Sequence, residues 1–269
     1  MTRTLVWAGL ALALGATSSP AQSLVDRITG SKDGEVRLSF AAREGICGDG
    51  RNYIRDRERE GLISMNGDGW TRNGWRDRPC EDGPVRLAIR LSGGEIRSAR
   101  AYVGGDWSFQ RAPSGPVTDL GAVSAPGAAK ALLELARKPS IGKEEDLVFP
   151  ATLADSTVIW RDLLALAKDQ RAPRGSRKQG VFWLSQAAGD KAVQGLSDLV
   201  DDESDDREVR EHAVFALSQL PREEGVPILI RAARTNKDPK VRRQALFWLG
   251  QSEDPRALKL FEEILVDRR

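Results

Sequence analysis

The hydrophobic pattern changes period about half-way along the chain. In the first half it alternates. "EVRLSF" places Val36, Leu38 and Phe40 on one face, and "PVRLAIRL" does the same with Val85, Leu87, Ile89 and Leu91. A period of two is the mark of a half-buried strand. Ser92-Gly93-Gly94 separates the second run from "EIRSARAYV" and predicts a β-hairpin. Arg37, Arg86, Arg90, Arg97 and Arg100 take the opposite faces. They read as the wet side of a one-sided sheet, with a basic surface for an acidic partner as the alternative. "GICGDGRNYI" and "MNGDGWTRNGWRDRPC" lie between the strands and read as glycine-rich loops, in which Trp70 and Trp75 read as packing residues.

The stretch from Gly104 to Gly127 is rich in Gly, Pro and Ser, a linker signature. Beyond it the period becomes helical. Ala128, Leu132, Leu133 and Ala136 recur at spacings of three and four. "DSTVIWRDLLALAKDQ" predicts another helix, with Asp155 or Ser156 as its N-cap.

The last part of the chain repeats itself without gaps. "RKQGVFWLSQAAGDKAVQGLSDLV", "REHAVFALSQLPREEGVPILIRAA" and "RRQALFWLGQSEDPRALKLFEEIL" align so that Phe182, Phe215 and Phe247 correspond. So do Leu184, Leu217 and Leu249, and Gln186, Gln219 and Gln251. Two helical blocks per unit at this period predict an α-solenoid. Stepping back one period from Leu196 and Leu199 reaches Leu163 and Leu166, so the helix near Trp160 is the second helix of an earlier, degenerate unit. A helix near Leu132 caps the stack.

Asp238, Val241, Arg242, Ala245, Leu249 and Gly250 form a pattern of Asp, Val-Arg, small residue and Leu-Gly. Asp206, Val209, Arg210, Ala213, Leu217 and Ser218 repeat it, with Ser for Gly. The first unit departs, with Pro173 and Ser176 for Asp and Val, and keeps Arg177. Over Asp155 to Arg269 this resembles the HEAT repeats of the short, phycobilisome-lyase-like class. The small residues at Gly180, Ala213 and Ala245 let helices approach closely. The Asp caps the incoming helix, and Arg177, Arg210 and Arg242 read first as a structural ladder and second as ligand contacts. Resemblance to bilin lyases would imply chromophore attachment, but fold alone carries no such activity. Resemblance to deoxyhypusine hydroxylase would imply a di-iron centre of repeated His-Glu pairs, which a chain with one histidine cannot assemble.

"MTRTLVWAGLALALGATSSPAQS" reads as a signal peptide: basic Arg3, an apolar run from Leu5 to Gly15, then small residues before a cut at Gln22. That run is too short to span a bilayer. The expected place is the periplasm or extracellular space. In an oxidising compartment Cys47 and Cys80 most simply form a disulfide. The expected architecture is α+β: signal peptide 1–21, disulfide-linked antiparallel β-rich domain 22–103, linker 104–127, and a HEAT-type α-solenoid over 128–269. The solenoid has about three to four helical hairpins, near 140–170, 173–202, 206–236 and 238–267.

Chemistry is sparse. A net charge of +2 gives no global field toward nucleic acid or anionic membranes. Asn66 to Asp77 puts Trp70 and Thr71 where a calcium loop needs an oxygen donor and a glycine. The acidic run Asp198 to Glu208 has no ligand spacing and reads as solvent-facing. His212 aligns with Gln179 and Gln244 and reads as a solvated surface residue. No catalytic residue, metal ligand or cofactor is assigned. The expected function is an exported, non-enzymatic scaffold that binds a protein or peptide through its repeats, with no nucleic acid and no membrane span. Trp183 and Trp248, together with Arg177, Arg210 and Arg242, are the candidate contacts; Phe182 is inter-repeat core. The alternative is an envelope hydrolase or transferase with its site around Asp49, Arg51 and Asp68. Self-assembly through an exposed end of the stack is a third reading.

Overall fold

The structure, a computed structural model, describes residues 23–51, 53–57, 61–65, 80–109, 112–113, 115–139, 147–155, 159–186 and 190–266. The segment read as a signal peptide lies outside them, as do Asp68, Trp70, Trp75 and the Asn66 to Asp77 stretch.

A short helix α1 (Leu24–Thr29) precedes strand β1 (Gly34–Phe40). β1 pairs antiparallel with β5 (Val85–Ser92), setting Val36 opposite Ile89, Leu38 opposite Leu87 and Phe40 opposite Val85. These six side chains are at most 1% exposed, so the alternation seen in the sequence is the cross-strand packing of one sheet face. β5 turns into β6 (Glu95–Val103) through Gly93 and Gly94, with φ of 62° and 79°. A two-residue hairpin turn of type I′ needs positive φ at both positions, which glycine adopts freely.

The arginine face differs from expectation at one end. Arg97 and Arg100 are exposed, but Arg86 is only 5% exposed, because residues Val85 to Ile89 are covered on both faces.

The region 104–127 carries more than a connection. After a 3-10 turn at Trp107–Phe109, β7 (Val117–Ala122) pairs parallel with β1 and completes a four-stranded sheet in the order β6-β5-β1-β7. β7 is an edge strand held by its main chain, and its side chains are mostly exposed. It therefore lacks the apolar alternation that identifies a half-buried strand. The first glycine-rich stretch likewise contains β2 (Ile46–Gly48) and runs into β3 (Tyr53–Asp56), which pairs with β4 (Gly61–Met65) in a small antiparallel sheet. These strands are too short to show a period. Gly48 bridges to Glu81 and passes so close to β6 that a Cβ would sit 2.5 Å from the Val103 carbonyl oxygen. Cys47 and Cys80 form a disulfide, with Cα atoms 5.3 Å apart.

The helices follow. α2 (Ala125–Ala136) packs against α1, α3 (Val148–Thr152) and α4 (Ile159–Lys168). Then come α5 (Arg174–Gln186), α6 (Asp190–Asp201), α7 (Arg207–Ser218), α8 (Arg222–Thr235), α9 (Pro239–Gln251) and α10 (Pro255–Val266). Pairs α5/α6, α7/α8 and α9/α10 make three successive hairpins after α3 and α4, and α3, α5, α7 and α9 pack in series. Asp206 and Asp238 cap α7 and α9 by accepting the N–H groups of Glu208 at 2.9 Å and Lys240 at 2.8 Å. At Gly180 a Cβ would lie 3.2 Å from the Leu163 carbonyl oxygen, which explains the small residue between α4 and α5.

Sheet and stack share one contiguous hydrophobic core, running from Val25 to Leu260. Main-chain bonds also join them. Ala42 and Ala154 form a β-bridge, the Arg43 N–H donates to the Leu153 carbonyl, and the Asp155 N–H donates to Ala41. The Arg43 side chain reaches both sides of this joint. Its Nε donates to the Thr152 carbonyl at 3.2 Å and its Nη2 to the Asp56 carboxylate at 2.6 Å.

Candidate functional site at the seam between repeats

The aligned arginines lie between units. Arg177 on α5 is 3% exposed; its Nε donates to the Ala167 carbonyl of α4, and its Nη2 meets the Asp205 carboxylate. One unit later Arg210, 4% exposed, donates to the Val200 carbonyl of α6 and to Asn236 Oδ1 at 3.0 Å. Its Nη1 lies 3.6 Å from Asp238, the N-cap of α9. Asn236 in turn donates to the Val200 carbonyl at 2.9 Å. Arg210 thereby links three consecutive hairpins. A guanidinium this deeply buried must be satisfied inside the fold, so the structural ladder is the geometry found, and neither group faces solvent as a partner contact. Arg242 differs. It is half-buried and curls back onto the Asn236 and Lys237 carbonyls at 2.7 and 2.9 Å.

The aromatic residues form a second ladder. Phe149 of α3 lies 33 residues before Phe182, so the degenerate first unit carries the recurring Phe too. Trp183 stacks on Phe149 with ring centroids 5.4 Å apart, and Trp248 tilts on Phe215 at 5.1 Å. The Trp that follows Phe182 and the Trp that follows Phe247 thus each pack on the Phe one unit earlier. Ala216 holds that position in α7 and is fully buried. Both Trp183 and Trp248 are half-buried, and each indole Nε1–H is buried without an acceptor among the described residues. Phe182 is half-buried, whereas Phe247 in the last described unit is 54% exposed. Core and surface roles therefore follow place in the stack more than residue type.

Other charges serve packing as well. Hydrogen bonds from Arg256 hold the Asp254 carboxyl down at about 2. Arg256 also reaches Glu223 at 3.0 Å and the Arg222 carbonyl at 3.1 Å, tying the start of α10 to the start of α8. The Lys240 N–H keeps the Asp238 carboxyl below its usual range. His212 is half-buried against Phe215 rather than solvated, and burial, followed by nearby Lys178, pushes its imidazole down.

In the β-rich region, Asp49 Oδ1 accepts the backbone N–H groups of Arg51 at 2.9 Å and Tyr53 at 3.1 Å, so this carboxylate closes a turn. The sequence reading did not single out Trp107. It lies beside both Arg37, at 4.6 Å, and Arg86, at 5.3 Å, in cation–π geometry. Burial pushes the Arg86 guanidinium down from its usual range. Among the described residues no cluster of three or more His, Cys, Asp or Glu could hold a metal ion, and no helix is long and apolar enough to cross a membrane.

Residues 193–269, from α6 through α10, match the family model for HEAT repeats. These residues are HEAT repeats. The match is to HEAT repeats at large, and no curated protein matches the chain. HEAT repeats are protein-interaction modules, with stability built from contacts between neighbouring units. The sequence alignment had shown Gln186, Gln219 and Gln251 in register without assigning them a role. In the structure they stand at the C-terminal ends of α5, α7 and α9, and Gln219 and Gln251 flank one cleft.

The HEAT ladder has a direct test in urea unfolding. Arg177→Ala leaves buried Asp205 without its cation and is expected to cost about 3–5 kcal/mol. Arg242→Ala, which loses only two hydrogen bonds to backbone carbonyls, is expected to cost about 1 kcal/mol. Equal losses would refute the assignment of Arg177 as an inter-repeat link.

Proposed function

We propose that the protein is an exported, non-enzymatic scaffold whose HEAT repeats hold a protein or peptide partner while the β-rich domain is rigidly attached to them. The observation that carries this reading is the distribution of exposed apolar residues. Four of the five large hydrophobic side chains exposed among the described residues belong to α9 and α10: Phe247, Leu258, Leu265 and Val266, at 54–70% exposure. Clustered exposed apolar surface marks an interaction site, and here it sits on a repeat of an interaction family. Phe247 packs edge-on against Trp248 at 5.0 Å, which joins this surface to the cleft beside Gln251. Export is supported by the basic, apolar and small-residue sequence before Gln22 and by the disulfide, a bond that persists in oxidising compartments.

Two measurements bear on this. Residues 1–40 fused to a reporter that is active only after export should give activity, and an inactive fusion would remove the exported half of the reading. In capture from envelope extract, the full chain carrying Phe247→Ser and Leu258→Ser should recover its partner at least about tenfold less well. Both sites are exposed, so the melting temperature should hold. Undiminished recovery would move the contact off α9 and α10.

A further inference from the structure

The outer face of α9 and α10 is built like a seam between units. Aligned positions show this. Val181 and Val214 are fully buried, whereas Leu246, at the same position, is only half-buried. Val200 and Ala233 are 0% and 8% exposed, and Leu265, their equivalent, is 68% exposed. In the earlier units this face meets the next helix. Arg231 of α8 donates to Ser197 and Asp201 of α6, both at 2.6 Å, and Arg234 pairs with Glu263 of α10. Glu262 and Val266 hold the positions of Ser197 and Asp201 in α10, and both are exposed. A unit that closes a stack carries a polar outer face. This one keeps Leu246, Phe247, Leu258 and Leu265 there instead.

The charges on this face are ordered. α9 ends at Gln251 and α10 returns from Pro255, so Arg243 lies about 12 Å below the turn and Glu262 about 10 Å. By the same rise Phe247 lies about 6 Å below it and Leu258 about 4.5 Å. Arg243 and Glu262 are exposed, and neither forms an ion pair among the described residues. A two-fold axis parallel to the helices lays α9 of one copy over α10 of another at equal height. It sets Arg243 against Glu262 twice, and Phe247 against Leu258 twice. A two-fold axis across the helices brings Glu262 near its own copy instead, and opposed like charges cost affinity. The other end of the stack is covered by α2 and the sheet, so a head-to-tail array has no second face to join. A self-complementary face closes as a two-fold pair.

We propose that the face made by α9 and α10 pairs with the same face of a second copy of this chain, about a two-fold axis parallel to the helices. Arg243 of each copy meets Glu262 of the other, and Phe247, Leu258 and Leu265 close the apolar centre. This rests on the reading that the repeats hold a protein partner at α9 and α10, and it names that partner as a second copy. The two β-rich domains then stand at the far ends of one longer stack.

Sedimentation equilibrium of the full chain should show monomer and dimer in exchange, with a Kd of about 10 μM or tighter. Arg243→Glu and Glu262→Arg, both at exposed sites, should each weaken the dimer at least about tenfold, because every contact then opposes like charges. Mixing the two variants should restore dimers to within about threefold of the original Kd, since both contacts become opposite-charge pairs again. That recovery also shows that each variant is folded. A chain that stays monomeric at about 100 μM, variants that dimerise as well as the original, or no recovery on mixing would overturn the pairing. If the chain is monomeric while Phe247→Ser with Leu258→Ser still lowers capture from envelope extract, the second copy is ruled out and the repeats hold a different protein. If that pair leaves capture intact as well, the broader reading fails with it.

Discussion

The guanidinium group of Arg210 sets the geometry of the repeats. It is buried, permanently charged and bonded to groups from three hairpins, so those hairpins cannot slide past one another without stranding it. Burying a charge is expensive unless the site is well satisfied. The same requirement recurs at Arg177, which joins α4 to Asp205 just before α7. Apolar packing supplies most of the driving force for stacking, but it is non-directional; the arginines add register. With register fixed, positions equivalent in sequence become equivalent in space. That is how the recurring phenylalanines and tryptophans become a ladder, and how the glutamines at the helix ends fall into a row.

A second joint extends this order to the sheet. The bridge between Ala42 and Ala154, the Arg43 side chain and the shared core attach α3 and the turn after it to the strands. The sheet thereby occupies the side of the stack near α2 and α3, while the apolar exposure lies on α9 and α10. One end is built into the fold, and the other presents side chains suited to contact.

Much of this was legible in the residues. Val36, Leu38 and Phe40 against Val85, Leu87 and Ile89 showed a sheet face because the residues between them include polar side chains such as Arg37 and Arg86. The repeats were legible because stacking imposes the same demand on each unit, so Gly180, Ala213 and Ala245 recur for one steric reason. β7 was hidden because an exposed edge strand is held by main-chain bonds, which leave no side-chain pattern. Arg86 was misplaced because alternation reports one sheet and not the loop and Trp107 that cover its far side. The roles of Trp183 and Phe247 depended on what lies beside each helix, which the period alone does not carry. The cleft beside Gln219 was invisible for a similar reason: its walls come from the ends of helices far apart in the chain.

Cooperativity tests the central claim that the β-rich domain and the HEAT repeats form one body with one core. Scanning calorimetry of the disulfide-intact chain should show a single transition whose calorimetric and van't Hoff enthalpies agree, as expected when one core melts as a unit. Two resolved transitions, one for the sheet and one for the repeats, would contradict it.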